Sequence, residues 1–462
     1  MAIAATETMN QDAPRKNPAI LKNLEDVYEL SPLQQDNLMR YIEAPGEGLF
    51  HENLVFDFEG QVDSEIFKKC WEKILERHSI LRTAVFYKGL KKPVQAVQRK
   101  VQLPLEILDW RNKTLEEQEM TLEDLTEKDR ADCYTLEEAP LMRLSLIYRS
   151  DNQFRLWWRF HHMIMDGWAF TVVLWDFLGL YRYYSGVESN ISILPGYPYK
   201  EYITYLKNRN TAEEQAFWQE YLKGFVPQKP LKGLKAPEPG SITTLTRQGR
   251  IDYPIEELFH PLQKVIKSHE LTLNGVFQGI FTLLMSHYCG GETDMVTGQT
   301  VADRPLSMEN SHARVGLFVN TLPVRYKIQT EGGFVHWAKG LQTSMMNTFS
   351  YSSSSEQDIK NWCGIPEDQS IFHSALVFKN IPLAEDPFKG LPFRMKGHSL
   401  ESRPHFPLSV FVWPDENLEL KIIYDNKLFS YEAAMEVLEN IKKSLELLIE
   451  NPDVSVSTMM KF

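Results

Sequence analysis

Residues 154–167 read Phe-Arg-Leu-Trp-Trp-Arg-Phe-His-His-Met-Ile-Met-Asp-Gly, and this stretch decides how the surrounding chain is interpreted. Up to His162, the side chains alternate between an aromatic-rich face and a face that carries two arginines, which predicts a β-strand. Successive side chains of a strand point to opposite faces, so His161 and His162 are expected to point in opposite directions. Gly167 permits a sharp turn, and residues 168–184 then predict a helix. The strand therefore ends in a histidine, a position that suits a general base.

Two further interpretations of the histidines have to be weighed. An adjacent His-His pair is commonly part of a satisfied core or of the surface. A metal site is the second interpretation, because His162 and Asp166 are both able to bind a metal ion. No third ligand has an obvious spacing, however, so a metal site is not expected.

Four sequence blocks resemble the condensation domains of nonribosomal peptide synthetases, from about Val27 to the C-terminus. The active-site motif of that family, His-His-x-x-x-Asp-Gly, is met by residues 161–167. The remaining three blocks follow the family's order and are Leu30-Ser31-Pro32-Leu33-Gln34-Gln35, Arg77-His78-Ser79-Ile80-Leu81-Arg82-Thr83 and Val315-Gly316-Leu317-Phe318-Val319-Asn320-Thr321-Leu322-Pro323-Val324-Arg325. Four ordered blocks over this length are far more specific than the histidine motif alone.

The resemblance implies an α/β fold of two lobes, each like chloramphenicol acetyltransferase, arranged as a V-shaped pseudo-dimer with a tunnel between them. We expect a flexible or docking segment at residues 1–26, an N-terminal lobe with the histidine motif at 27–189, and a C-terminal lobe at 190–462. Helical spacing and alternation support mixed helices and strands in both halves. Residues 116–132 predict a charged helix that faces solvent, and Tyr431–Glu450 predicts a long amphipathic helix.

The resemblance also implies roles for individual residues. His162 is expected to act as the base or to orient the acceptor amine, and His161 to be structural. Asp166 is either a second base or the partner of a buried arginine from the second half, for which Arg304 is the candidate. The Gly167 amide is expected to face the thioester oxygen. Two further residues are expected to face the substrate, namely Trp168 and Asn320.

Some residues depart from the family pattern. Ser79 stands where an acid is usual, Asp303 precedes Arg304 where glycine is usual, and residues 355–362 match the late "HQDxPFE" block poorly. Several positions favour the variant that takes a D-configured donor, namely Ile80, Trp110, Asn361-Trp362 and Phe406-Pro407-Leu408.

The expected function is acyl transfer, in which an acceptor amine attacks a carrier-bound acyl or peptidyl thioester and forms an amide bond. No cofactor of its own is expected, because the substrates are carried on the phosphopantetheine arms of donor and acceptor carrier proteins. A free small-molecule acceptor and ester formation with a hydroxyl acceptor stay open. An epimerase of the same superfamily and an inactive module that recruits a partner enzyme also stay open.

Composition agrees with a large enzyme that acts as a monomer in the cytoplasm. The chain has 462 residues, of which 43% are hydrophobic and 12% aromatic, enough for two cores. Its 50 basic and 62 acidic residues give a net charge of −12, which argues against nucleic-acid binding. No apolar run reaches the ~20 residues of a membrane helix, and residues 1–22 do not resemble a signal peptide. The four cysteines lack paired spacing and are expected to be free thiols.

Overall fold

The computed structural model describes residues 22–190, 196–226, 231, 248–305, 307–379, 387–414 and 416–461. Most of the predicted segment 1–26 lies outside these residues, and so do residues 191–195, just after the predicted boundary at 189/190. The last residues of the segment, 24–26, belong to a strand. The mixed α/β class predicted from the sequence is confirmed.

Helices and strands alternate irregularly along the whole chain. Up to residue 221 they are β1 (Leu24–Glu29), α1 (Pro32–Glu43), β2 (His51–Gly60), α2 (Ser64–Arg77), β3 (Thr83–Phe86), β4 (Val94–Gln98), β5 (Leu105–Asp109), α3 (Leu115–Asp132), β6 (Met142–Ser150), β7 (Gln153–His161), α4 (Gly167–Tyr184), α5 (Lys200–Lys207) and α6 (Thr211–Tyr221). From residue 248 they are β8 (Gln248–Pro254), α7 (Phe259–Ser268), α8 (Leu273–Tyr288), β9 (Asp294–Ala302), β10 (Val319–Lys327), α9 (Phe334–Phe349), α10 (Glu356–Cys363), β11 (Ser374–Phe378), β12 (Phe393–Glu401), β13 (Leu408–Trp413), β14 (Glu419–Asp425), α11 (Tyr431–Glu450) and α12 (Val456–Met459).

The chain forms two compact units, and neither is a continuous stretch of sequence. Within the described residues, the first comprises those between 22 and 209, between 304 and 318, and between 387 and 403. The second comprises the described residues between 210 and 303, between 319 and 379, and between 404 and 461. Described residues of the predicted C-terminal lobe between 304 and 318 and between 387 and 403 therefore pack with the first unit, as do residues 196–209. The predicted boundary at 189/190 does not coincide with this division.

The first unit is built on a sheet in the order β12-β2-β7-β6-β5, with β1-β4-β3 as a smaller sheet. Only the β5–β6 pair is parallel in the larger sheet. Helices α2 and α4 cover one face, where the rings of Trp71 and Trp158 meet edge to face at 4.9 Å. Helix α2 begins at Ser64, where the Asp63 carboxylate caps it by accepting hydrogen bonds from two amides of its first turn.

Helix α3 differs from the solvent-facing helix that its charge predicted. It covers the second face of the larger sheet, where Leu122 and Leu125 pack beside Trp157. Its Asp129 is 9% exposed and binds Arg143 at 2.7 Å and His51 at 2.9 Å. Helix α3 thus supplies acids to the arginines that alternate along β7: Asp129 lies 3.2 Å from Arg159, and Glu119 lies 2.9 Å from Arg155.

The second unit is built on a sheet in the order β10-β9-β11-β13-β14-β8. Strand β11 is parallel to both of its neighbours, and the other pairs are antiparallel. Helices α7, α8, α9 and α11 contribute to the core on one face, and α6 and α10 contribute to a separate core. The predicted helix Tyr431–Glu450 is present with those bounds as α11. Within the described residues, no helix has both the length and the apolar character needed to cross a membrane.

Candidate active site

The histidine motif lies at the point where β7 turns into α4, as the alternation of residues 154–162 predicted. The backbone amide of His161 donates to the Leu141 carbonyl on one side at 3.0 Å, and that of His162 donates to the Phe50 carbonyl at 2.7 Å. A turn closed by the Ile164 amide and the His161 carbonyl, 3.1 Å apart, follows. The backbone of both histidines is therefore fixed by neighbouring segments of the first unit.

The His161 side chain is enclosed and uncharged. It is fully buried, and its Nδ1 accepts a hydrogen bond from the Met163 amide at 3.2 Å. The ring of Tyr41 meets it edge to face at 4.9 Å, and that of Tyr134 at 6.0 Å. Burial, with smaller contributions from His51 and His162, lowers the pKa of His161 to about 3. Because Nδ1 accepts, the ring proton resides on Nε2, which is buried without a hydrogen-bond partner among the described residues. With the whole ring enclosed, this histidine is closed to a substrate.

The His162 side chain is only partly buried, in contrast to that of His161. Its Nδ1 is buried and finds no hydrogen-bond partner among the described residues. A buried ring nitrogen without a partner is uncommon and calls for a ligand or a water molecule. Nε2 of His161 is likewise buried without a partner, but its ring is fully enclosed. His162, whose ring is partly exposed, is therefore the member of the pair available for chemistry.

Both carboxylate oxygens of Asp166 accept hydrogen bonds that stabilise the motif. Asp166 is 1% exposed and caps α4, since Oδ1 accepts from the Ala169 amide at 2.7 Å. The same oxygen lies 3.3 Å from Nη2 of Arg304, and Oδ2 accepts from the Phe318 amide at 2.7 Å. With both oxygens engaged and the group buried, Asp166 is poorly placed to act as a second base.

Arg304 is brought to Asp166 by the segment 304–318, which packs in the first unit although it comes from the second half of the sequence. Its Nη1 donates to the carbonyls of Ser311 and Arg314 at 2.7 and 2.9 Å. The guanidinium also lies 4.4 Å from the centre of the Phe318 ring. Burial lowers the pKa of Arg304, and the carboxylate of Asp166 opposes that shift. The carboxylate and the guanidinium thus compensate each other's burial.

The block that begins at Val315 docks against the motif before its strand starts. The Gly316 carbonyl accepts from the Asp166 amide at 3.2 Å, and Tyr199 Oη donates to the Leu317 carbonyl at 2.7 Å. A Cβ on Gly316 would lie 2.3 Å from the Tyr199 ring, so the position requires glycine. Strand β10 begins only at Val319, because residues 316–318 bond to Asp166 and Tyr199 instead.

The remaining predicted site residues have different surroundings. Gly167 is the first residue of α4, and Trp168 follows it, with its Nε1 donating to the His312 carbonyl at 2.8 Å. Asn320 lies in the second unit and is 8% exposed. Its Nδ2 donates to the carbonyls of Ser352 and Ser354, both at 2.7 Å. The Asn320 amide is thus used to hold a turn, which indicates a structural role.

Asp303, which stands where the family usually has glycine, contacts the turn at residues 352–354 that Asn320 also holds. Its two carboxylate oxygens accept hydrogen bonds from the hydroxyls of Ser352 and Ser353, each at 2.7 Å, and the side chain is 2% exposed. An acid at this position and a run of serines at 352–355 therefore form one unit of structure. The pairing depends on contact between distant segments, so neither departure was interpretable from the sequence.

Three residues around the motif were not predicted from the sequence. Phe50 holds the His162 amide, and Tyr41 and Tyr134 enclose His161 and bond to each other through the Tyr41 hydroxyl and the Tyr134 backbone. Two glycines before Phe50, at 46 and 48, were a local sign of an unusual turn. No comparable signal marks the two tyrosines.

The described part of the chain contains no group of three or more histidines, cysteines or acids that could hold a metal ion. His162 and Asp166 do not form such a group, because the Asp166 oxygens are occupied by Arg304 and two backbone amides. None of the four cysteines, all of which lie within the described residues, forms a disulfide bond.

Comparison with known proteins first identifies a family and a relative. A family model described as "Condensation domain" matches residues 24–461. One subunit of the linear gramicidin synthase of Brevibacillus parabrevis is 34% identical over 448 residues, which are 94% of this chain and 8% of that protein. The chain thus spans a small fraction of the length of that relative.

Solved structures share the fold at low sequence identity. The starter condensation domain of rhizomide synthetase matches with a TM-score of 0.80 at 14% identity, covering 95% of this chain and 98% of the other. The X-domain from teicoplanin biosynthesis matches with a TM-score of 0.75 at 17% identity, covering 93% and 96%.

Proposed function

Because the chain belongs to the condensation-domain family and is therefore an acyltransferase, we propose that it joins an acceptor amine to a donor acyl or peptidyl thioester. Both groups are carried on the phosphopantetheine arms of partner carrier proteins. The observation that carries this proposal is the contrast within the motif. His161 is fully buried and neutral, Asp166 is saturated with hydrogen bonds, and His162 has the partly exposed ring of the pair, with an Nδ1 that finds no partner among the described residues.

The reaction forms a C–N bond and breaks a C–S bond. The amine nitrogen attacks the thioester carbonyl, His162 orients the amine or accepts its proton, and the proton finally resides on the departing thiol. A thioester is already activated, so no nucleotide is consumed in this step. Alignment of the two substrates supplies much of the rate, since effective molarities reach about 10⁵–10⁸ M.

Asp166 and Arg304 act in this proposal as the support of His162. Together they join the first turn of α4 to residues 316–318, so the strand end and the helix start are held in one geometry. The first amides of a helix have no partner within that helix and carry partial positive charge. The Gly167 amide, at the first position of α4, is proposed to stabilise the oxygen of the tetrahedral intermediate.

The donor is proposed to be D-configured. This rests on the sequence variants named above, of which Ile80 and Trp110 are 1% and 5% exposed within the first unit. Because Ile80 and Trp110 are buried in the core, we propose that they affect donor selection through the packing of the first unit and not through direct contact with the donor.

The test incubates the chain with a donor-loaded and an acceptor-loaded carrier protein and follows both carriers by intact-protein mass spectrometry. We expect transfer of the donor mass to the acceptor carrier, no effect of ATP, and preference for a D-donor over its L-epimer. His162→Ala should lower the rate by about 10²–10⁴-fold, whereas His336→Ala, at an exposed position on α9, should not change it.

Several outcomes would contradict the proposal. Strict ATP dependence with a preloaded donor would refute the mechanism. Transfer only to hydroxyl acceptors would identify an ester-forming enzyme. Inversion of the donor without transfer would identify an epimerase, and no reaction with any carrier pair would favour a recruitment module.

A further inference from the structure

The turn that holds the backbone of His162 has an unusual conformation. Gly46, Gly48 and Phe50 all have positive φ, at 80°, 63° and 61°. Glycine adopts such angles freely, but a phenylalanine in the left-handed region persists only where its surroundings hold it there. Phe50 is 5% exposed, and its carbonyl is the acceptor for the His162 amide. The direction of that carbonyl depends on keeping Phe50 in this conformation.

Arg403 contacts this turn at two points. Its Nη1 donates to the Glu47 carbonyl at 2.9 Å, and its own backbone carbonyl accepts from the Phe50 amide at 3.4 Å. One residue therefore binds the middle of the turn through its side chain and the end of the turn through its backbone. Arg403 is also the last residue of the segment 387–403, which adds β12 to the edge of the first sheet beside β2.

The burial of Arg403 is incompletely compensated, because the favourable charges of Glu127, Glu401 and Glu47 are outweighed by burial and by the charge of Arg130. The side chain is 11% exposed, and the Glu127 carboxylate is 4.0 Å from it. Arg130 lies close by and is itself paired with Glu127 and Glu401. Burial, followed by the charge of Arg130, lowers the pKa of Arg403. A buried guanidinium with such a distant ion pair is weak as a stabilising element. Its contribution is better explained by the geometry that it imposes on the turn.

We propose that Arg403 is a positioning residue for His162, acting through the turn 46–50. The path is short: Arg403 fixes the turn, the turn fixes the Phe50 carbonyl, and that carbonyl fixes the backbone from which the His162 ring extends. This inference rests on the proposed catalytic role of His162. Small misplacements of a catalytic group are costly, since an error of about 1 Å can reduce the rate by about 10²-fold.

The experiment compares Arg403→Met, Arg403→Lys and the control Arg394→Met. Arg394 lies on the same strand segment, is 70% exposed and pairs with Glu59, away from the turn. For each variant, kcat and KM are measured with loaded carriers at a temperature where circular dichroism shows a folded chain. The rate at which diethyl pyrocarbonate modifies His162 is measured by peptide mass spectrometry without any substrate.

We expect Arg403→Met to lower kcat by about 10–100-fold, with KM within about 3-fold, because alignment and not binding is lost. The modification rate of His162 should change by at least about 3-fold in the same variant. Arg403→Lys, which retains the charge and a donor, should recover part of kcat. Arg394→Met should match the unmodified chain in every measurement.

A folded Arg403→Met chain with normal kcat and a normal His162 modification rate would overturn the proposal. If that variant does not fold, Arg403→Gln decides, because its side chain is too short to reach the Glu47 carbonyl. A normal modification rate together with a normal kcat in that variant would overturn the proposal. The role of His162 itself is judged separately by His162→Ala. Full activity of His162→Ala would refute the proposed function, whereas the modification rates in the Arg403 variants report on positioning without depending on activity.

Discussion

Removing the Asp166 carboxylate should destabilise the first unit far more than removing an ordinary helix cap. Asp166→Ala leaves the buried guanidinium of Arg304 without its anion, which typically costs about 3–5 kcal/mol. It also removes the cap of α4, worth about 1 kcal/mol, and the acceptor of the Phe318 amide, whose loss costs about 1–3 kcal/mol. These contributions overlap, so we expect a total of about 5 kcal/mol.

Arg304→Met should be milder. In that variant Asp166 keeps the amides of Ala169 and Phe318, so we expect a loss of about 2–3 kcal/mol. In the double variant, Asp166→Ala with Arg304→Met, no buried guanidinium remains without an anion. Its loss should therefore fall short of the sum of the single losses by about 2 kcal/mol or more.

Urea unfolding of the four proteins, followed by tryptophan fluorescence, gives these free energies and their coupling. Asp166→Asn serves as the matched variant, because it retains one acceptor oxygen of similar shape but loses the charge, and it should lie between the parent and Asp166→Ala. If the two single losses add to within about 0.5 kcal/mol, the carboxylate and the guanidinium do not stabilise each other and the reasoning is refuted.

Three further predictions concern the same region. The His161 pKa lies near 3 in the folded chain and near 6.5 when unfolded, so protonation favours the unfolded state as pH falls below about 6.5; at pH 5 this amounts to about 2 kcal/mol. The loss of stability between pH 7 and pH 5 should be smaller in His161→Asn, and an equal loss would contradict the assignment. Phe50→Gly should be more stable than Phe50→Ala in thermal unfolding, since only glycine accepts a φ of 61° without strain; the reverse order would argue against this conformation. Gly316→Ala should lose about 1–3 kcal/mol against the Tyr199 ring, whereas the control Gly179→Ala, with open space around its Cβ, should gain about 0.5–1 kcal/mol; similar unfolding midpoints would disprove the close contact.

The parts of the fold that the sequence predicted are those specified by local periodicity. The strand before the motif, helix α4 and helix α11 each show the spacing of their own secondary structure, so their bounds were predicted to within a residue or two. Strand β12 was missed, because only two of its nine residues are buried and its pairing with β2 joins positions more than 300 residues apart. Helix α3 was assigned to solvent from its charge, although its Asp129 is buried against arginines of the sheet.

The site divides in the same way. The alternation along residues 154–162 predicted that the two histidines point to opposite faces. It contained no information on the residues around them, because Phe50 and Tyr134 are distant in sequence and contact the motif only in the folded chain. Asp166 and Arg304 were paired from the family resemblance, and their contact depends on a segment 138 positions further along the chain. That segment also packs in the first unit, which no local pattern indicated.

The discontinuity of the first unit has a consequence for biosynthesis. A ribosome that has completed residue 209 has not yet added Arg304, Gly316 and Phe318, which bond to Asp166. It has also not yet made the edge strand β12 or Arg403. At about 5–20 residues per second, some 10–40 s pass before residue 403 has been added. During that interval the first sheet has an open edge beside β2, and for about the first half of it the Asp166 carboxylate has no guanidinium, because Arg304 has not yet been added. The native geometry around the histidines is therefore completed late in translation, and the nascent chain must tolerate that incomplete state without misassembly.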